Sequence, residues 1–228
     1  MKREEIQQEQ SYIDWLKSLG CVFYAPLTQD DLKDYISGNT GVLTGYGSMV
    51  WDGNENMYMF TSPSLAQIGK SVLSFNVNFY LPTTWTVIAK IKPISISGRT
   101  GCSILNSKYN DTDKLMTPVY GKCTIDNQIR IGSEMTYWDN KTTAVYRGTS
   151  SNGSIISNFY ENGDFYVTQS PYSGFIDSYG LPTNINVIEI AHTRNRNNAY
   201  YGVSYYISDL MIFNQALDLN IMNEIAGL

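Results

Sequence analysis

The sequence predicts an all-β fold, an antiparallel sandwich or jelly roll with a short helix at each end. Tyrosine occurs 18 times among 228 residues, and only 16% of the residues are charged; aromatic and β-branched side chains suit half-buried strands. Short apolar segments also alternate with turns rich in glycine and asparagine, which is typical of sandwiches. We expect a helical extension over residues 1–19, followed by one β domain over residues 20–228.

The first segment with a clear period is helical and covers residues 2–19. Ser11 is a candidate helix cap, and Gly20 is placed to end the helix. Two interpretations stay open: the helix packs on the edge of the domain, or it joins the domain to a partner as an oligomerisation helix. An incomplete apolar stripe along the helix is compatible with both interpretations. It consists of Ile6, Ile13, Leu16 and Leu19.

Alternating or short apolar segments then predict strands. The clearest is TWTVIAKIKP, in which Ile88 alone breaks the alternation and Pro93 is expected to end the strand. Asn162-Gly163 between two aromatic arms is the strongest hairpin signal in the chain. The other predicted strands lie in the segments CVFYAPL, SMVWDGNENMYMF, QIRIG, NVIEIAH and VSYYISDLMIF.

The last strand and the segment after it predict how the chain ends. Simple alternation places Ile207, Asp209 and Met211 on one face of the strand, with Leu210 on the other. A short amphipathic helix follows, for which Asp218 is the expected N-cap. Its apolar stripe is formed by Leu219, Met222, Ile225 and Ala226.

Five segments resemble, in order, laminin-G-like domains of the concanavalin A-like lectin/glucanase superfamily. GCVFYAPL is similar to the opening strand, DYISGNTGVLTG to the loop after it, WTVIAKIKP to a central strand, FYENGD to a hairpin and ISDLMIFNQALD to the closing strand. The segments span residues 20–218, whereas residues 93–158 depart from the pattern. The resemblance implies a concanavalin A-like jelly roll.

The resemblance also implies one structural calcium ion, and we expect no other cofactor. Several relatives hold calcium on the convex side through the aspartate of the last strand, and Asp209 occupies that position. Calcium binds oxygen ligands, and these include backbone carbonyls. The alternative is that Asp209 only hydrogen-bonds backbone amides near the N-terminal strand.

The overall composition narrows the classes of partner. A net charge of −5 argues against a general nucleic-acid binder. Cys21, Cys102 and Cys123 form no CxxC pair, so we expect free thiols and no zinc site. We find neither a membrane span nor a signal peptide, and we expect a cytoplasmic or virion-associated protein unless the chain is trimmed.

Catalytic constellations are weak, and we expect no enzyme. Glu161 has an acid three residues later, Asp164, but the two flank the predicted hairpin turn, a poor place for an acid with a raised pKa. His192 is the only histidine, and no GxSxG motif exists to partner it. Glycoside hydrolysis is therefore the function we favour least.

Sugar binding needs flat aromatic faces beside amide, carboxylate or guanidinium groups. The segment TYWDNK is the first candidate and TRNRNNAYY is the second. The alternative is a core tryptophan in the first and a solvated loop in the second. The candidate residues are Tyr137, Trp138, Asp139, Asn140, Arg194 and Arg196.

These observations predict a non-catalytic binding module that takes a carbohydrate on a sandwich face or on rim loops. The alternative is a structural or adhesion protein of a bacteriophage virion or a bacterial surface assembly, with the sandwich as a scaffold for protein contacts. The expected partner is accordingly a glycan or another protein, and residues 2–19 are a candidate oligomer contact.

Overall fold

The protein is described from a computed structural model. The structure describes residues 3–67, 69–96, 98–99, 102–123, 128–131, 134–137, 143–149, 155–161, 164–170, 177–178, 182–193 and 203–226. Within these residues the chain forms two α-helices, one 3-10 turn at Leu65–Gln67 and a series of β-strands.

The helices are α1 (Arg3–Ser18) and α2 (Leu219–Ala226). The strands are β1 (Cys21–Ala25), β2 (Val42–Leu43), β3 (Ser48–Asp52), β4 (Met57–Thr61), β5 (Leu73–Leu81), β6 (Thr84–Ile96), β7 (Gly98–Arg99), β8 (Cys102–Tyr109), β9 (Thr112–Cys123), β10 (Gln128–Ile131), β11 (Glu134–Tyr137), β12 (Thr143–Thr149), β13 (Ile155–Glu161), β14 (Asp164–Ser170), β15 (Asp177–Ser178), β16 (Thr183–Thr193) and β17 (Val203–Phe213).

The strands form two large antiparallel sheets and a separate two-stranded ribbon. The six-stranded sheet has the order β12-β6-β17-β4-β3, with β1 also paired to β17. The nine-stranded sheet has the order β11-β10-β9-β8-β16-β5-β2, with β7 and β15 paired to β9. The ribbon is the pair β13–β14, in which Glu161 lies opposite Asp164, as the hairpin signal predicted. The prediction of an all-β, two-sheet antiparallel sandwich is confirmed.

The main core lies between the two large sheets. Phe23 in the six-stranded sheet meets Phe75 in the nine-stranded sheet edge to face, with ring centroids 5.1 Å apart. Trp85 and Tyr205 are also fully buried in this core. Inward side chains from both sheets thus interdigitate, as they do in a packed sandwich.

The alternation predicted for the last strand is wrong after Ile207. A β-bulge interrupts the pairing of β17 with β6 just before Met211, and Asp209 has a left-handed φ of 48°. Aspartate tolerates this backbone region better than most residues, and the Asp209 amide donates to the Pro26 carbonyl at 3.0 Å. The bulge shifts the strand by one residue, so Ile212 joins the main core while Met211 faces the opposite side.

A second apolar cluster, the helix-side cluster, covers the other face of the six-stranded sheet near β17. Ile88 belongs to it, which explains why this residue breaks the alternation of β6. Cys21 is a free cysteine in the same cluster, and burial raises the pKa of its thiol to about 12. The buried members are Leu16, Cys21, Ile88, Met211, Phe213, Leu217, Met222 and Ile225.

The predicted helices are present, and their ends are held by the sequence features that mark them. Gly20 ends α1 with a φ of 76°, and a Cβ there would meet Asn214 Oδ1 at 2.6 Å. Asp218 Oδ1 accepts the Ile221 amide at 3.0 Å, the geometry of an N-cap. Ser11 lies inside α1, so the prediction that it caps the helix is wrong.

Pro93 lies within β6, and the prediction that it ends this strand is wrong. Proline lacks an amide donor, so Pro93 donates no backbone hydrogen bond to a neighbouring strand. The partner β12 covers only Thr84 to Lys90 of β6, and Pro93 lies beyond that pairing, opposite Tyr205 of β17.

The structure bears on two further expectations. In the described part of the chain, no helix is long and apolar enough to cross a membrane. Leu16 of α1 is fully buried within the chain itself. An oligomer contact through residues 2–19 and the boundary after residue 19 both stay predictions.

We predict that Leu16→Ala lowers the free energy of unfolding by about 2–5 kcal/mol, because it leaves a cavity between α1 and the sheet. The matched control is Leu43→Ala, at a residue that is 54% exposed, where the loss should stay below about 0.5 kcal/mol. Urea unfolding of both variants measures the difference. Equal losses in the two variants would show that α1 does not pack on the sheet.

Candidate binding face

The outer face of the nine-stranded sheet presents amide side chains and one tyrosine on β5. The segment LSFNVNFYL alternates, and Phe75 and Val77 point into the main core. Asn76, Asn78 and Tyr80 therefore point away from it and are exposed, Tyr80 by 52%. An exposed aromatic ring beside two amides offers a flat apolar surface next to hydrogen-bond donors and acceptors.

The neighbouring strand β16 adds two more amides. Asn184 lies directly opposite Tyr80, so their side chains share the outer face. Asn186 Nδ2 donates to Asn110 Oδ1 at 3.4 Å, whereas its Oδ1 is buried and accepts no hydrogen bond within the described part of the chain. We call the five residues the amide–tyrosine patch: Asn76, Asn78, Tyr80, Asn184 and Asn186.

A charged cluster lies on the same face, between β8 and β16. Lys108 Nζ donates to Glu189 Oε1 at 2.8 Å, and Asn106 Nδ2 donates to Glu189 Oε2 at 2.8 Å. His192 Nε2 is 3.6 Å from the same Oε2. Asn106, Glu189 and His192 are buried. We call Asn106, Lys108, Glu189 and His192 the Glu189 cluster.

The cross-strand pairing sets the patch and the cluster side by side. Val187 is opposite Asn76 on one side and opposite Lys108 on the other. Neighbouring strands are about 4.8 Å apart, so the backbones of Asn76 and Lys108 are separated by about 10 Å. A ligand that covers Asn76 and Val187 would therefore reach the edge of the cluster.

The Glu189 cluster holds one carboxylate rather than preparing it for proton transfer. Both oxygens of Glu189 already accept hydrogen bonds from nitrogen donors. A general acid in glycoside hydrolysis must instead carry a proton to the leaving oxygen. The geometry therefore suits a fixed charge pair in the wall of a binding face.

The rim-loop residues proposed from the sequence are not brought together by the described structure. Tyr137 is the last residue of β11, at the far edge of the nine-stranded sheet. Five candidates lie outside the described residues, and their role in sugar binding stays a prediction: Trp138, Asp139, Asn140, Arg194 and Arg196.

Asp209, the candidate calcium ligand, is paired with an ammonium group. Lys90 Nζ lies 3.1 Å from Asp209 Oδ2, which also accepts from the Ser208 hydroxyl at 3.1 Å. Burial first, and then the charge of Asp209, raises the pKa values of Tyr12 and Tyr24. In the described residues, no three His, Cys, Asp or Glu side chains are grouped to hold a metal ion. In the described structure Asp209 is therefore the ion-pair partner of Lys90. A calcium ion at Asp209 stays a prediction.

The residues of this candidate face were not proposed from the sequence, although a signal for some of them exists. The strict alternation of apolar and polar residues in LSFNVNFYL predicts a half-buried strand with Asn76, Asn78 and Tyr80 outward. The strand β8 falls in the segment 93–158, which the family resemblance does not match. Asn106 and Lys108 could therefore not be placed beside Glu189 from the sequence.

The described architecture defines the class of protein, an antiparallel β-sandwich, and the comparisons agree with it. No family model matches the chain, and no curated protein matches it. The chain is similar in structure to the binding domain of botulinum neurotoxin DC in complex with SialylT, with a TM-score of 0.59 and 12% identity over 91% of this chain and 51% of that chain.

Two further solved structures of botulinum neurotoxins are similar to this chain. One is of type C, a toxin whose cell entry is dependent upon interaction with two ganglioside molecules (TM-score 0.56, 13% identity, 93% of this chain and 52% of that chain). The other is the type G receptor-binding domain (TM-score 0.55, 13% identity, 90% and 50%). The chain spans about half the length of these solved chains. At this identity the likeness shows the fold.

We predict that Lys90 and Asp209 stabilise the fold as one pair. Lys90→Gln and Asp209→Asn should each lower stability, and the double variant should lose less than their sum, with a coupling free energy of up to about 1 kcal/mol for this part-exposed pair. Urea unfolding of the three variants measures the coupling. Additive losses would contradict the pairing, and a calcium-dependent rise in Tm that Asp209→Asn abolishes would establish the calcium site instead.

Proposed function

We propose that this chain is a non-catalytic binding module that takes a carbohydrate on the outer face of its nine-stranded sheet. The observation that carries the proposal is the amide–tyrosine patch, in which the exposed ring of Tyr80 shares one sheet face with the exposed amides of Asn76, Asn78 and Asn184. A sandwich face was one of the two locations expected from the sequence, and the rim loops were the other.

The chemistry of the patch matches a sugar ring. Each asparagine amide both donates and accepts hydrogen bonds, as sugar hydroxyls do. The apolar face of a pyranose can lie on the ring of Tyr80, since aromatic side chains commonly line ligand sites and pack on apolar ligand surfaces. Since the side chains project from paired strands, the spacing of their backbone positions is set before the ligand arrives, which lowers the entropic cost of binding.

The solved structures support the proposal through the fold. One neighbour is a binding domain in complex with SialylT, and the cell entry of another depends on interaction with two ganglioside molecules. Sandwiches of this architecture therefore occur in glycan-binding proteins. Because this chain spans about half of those chains, their ligands do not assign a ligand to it.

A protein partner is the second candidate, and an observation on the same sheet favours it. Val42 and Leu43 form the edge strand β2, and they are 63% and 54% exposed. Apolar side chains on an exposed edge strand are a common site of protein contact. A scaffold role in a virion or surface assembly would use this edge rather than the patch.

We predict that Tyr80→Ala weakens glycan binding by about tenfold or more, because it removes the aromatic surface under the sugar ring. Asn78→Ala should weaken binding to a smaller extent by removing hydrogen bonds to hydroxyl groups. A glycan array identifies the sugar that binds, and titration followed by NMR gives the affinity of each variant.

The matched control for this experiment is Tyr46→Ala. Tyr46 is half-buried, and the ammonium of Lys70 lies over its ring. It precedes β3, which belongs to the six-stranded sheet. Its truncation should leave sugar affinity unchanged. Glycan binding that both tyrosine variants retain would move the site away from the patch. Binding to no glycan, together with protein capture that Leu43→Asp abolishes, would favour the second candidate.

A further inference from the structure

We infer that the amide–tyrosine patch selects neutral sugars over acidic ones and that Glu189 sets this selectivity by neutralising Lys108. The inference rests on the proposed function and names the class of ligand that the same face would take. It is carried by the pairing of charges at the border of the patch.

The patch itself is uncharged. Its hydrogen-bonding groups are four side-chain amides and one phenol, contributed by β5 and β16. These groups match hydroxyls, and they supply no full positive charge to a carboxylate. An acidic sugar placed on the patch would lose water from its charge without gaining a cation in return, and that exchange is unfavourable.

Lys108 lies beside the patch, and its positive charge is already paired with the carboxylate of Glu189. Its ammonium is 2.8 Å from Glu189 Oε1, and the two side chains are only 17% and 11% exposed. Asn106 holds the other carboxylate oxygen, which fixes Glu189 in place. An acidic sugar could take Lys108 only by leaving the buried Glu189 carboxylate without its ammonium, a costly change.

The same geometry makes Glu189 a specificity-determining residue. Glu189→Gln keeps the size of the side chain and retains a carbonyl oxygen for Lys108 or Asn106, while it removes the negative charge. The ammonium of Lys108 then becomes available to an acidic sugar that reaches past Val187 from Asn76. The variant should bind acidic sugars more tightly while its affinity for neutral sugars changes little.

The experiment uses the full chain and a glycan array in which neutral oligosaccharides are printed beside their sialylated forms. The wild-type protein should bind a neutral member at least about tenfold more tightly than its sialylated form. Glu189→Gln should reduce that preference. The double variant Lys108→Gln/Glu189→Gln, which removes both charges, should restore it, and this variant is the matched control. Melting curves show that each variant is folded.

The outcomes separate this inference from the proposed function. Equal or tighter binding of the sialylated forms by the wild-type protein, lost on Tyr80→Ala, would overturn the neutral-sugar inference and leave the glycan-binding face in place. Tighter binding of sialylated forms that instead depends on Arg194 would overturn both and favour the rim loop. Binding to no sugar would contradict the proposed function. If Glu189→Gln does not fold, the preference of the wild-type protein still decides whether the patch selects neutral sugars over acidic ones.

Discussion

The β-bulge at Asp209 determines how one strand serves two layers of this protein. Before the bulge, β17 directs Ile207 into the core between the sheets, and after it Ile212 takes over that role. The intervening shift turns Met211 to the opposite side, where α1 and α2 pack. At the same point the neighbour of β17 on one edge changes from β4 to β1, and the Asp209 amide donates to Pro26 across that junction. A regular strand would place Met211 between the sheets and would leave the helices with less apolar surface to cover.

The two outer faces of the sandwich differ in chemical character. Near β17 the six-stranded sheet carries a second apolar cluster under the helices, in which Leu16 and Met222 are fully buried. The described outer residues of β5, by contrast, are polar and exposed, and they border a buried charge pair. The proposed binding face and the helix-side cluster therefore lie on the outer faces of different sheets. Substitutions in the amide–tyrosine patch can change ligand choice while the two apolar clusters keep the fold, as is common for sites carried on a rigid scaffold.

Much of the fold follows from local patterns in the sequence, whereas the binding face depends on pairing between distant strands. Gly20 and Asp218 mark helix ends because their roles are local, and they were predicted correctly. The bulge at Asp209 was missed because a strict two-residue alternation cannot show where a strand contains an extra residue. Asp is nevertheless one of the residues that tolerate a positive φ. Glu189 and Lys108 are 81 positions apart in sequence, and only the register of β16 on β8 brings them together.

The side of β17 that carries Met211 gives the most direct test of the bulged strand. With the methionine methyl groups selectively labelled, NOE spectroscopy reports which side chains lie near the Met211 methyl. We expect contacts from this methyl to Leu16 and Met222, on the helix side of the sheet. Contacts to Phe75 and the other residues between the sheets would show an unbulged strand, and they would contradict the arrangement on which the helix layer depends.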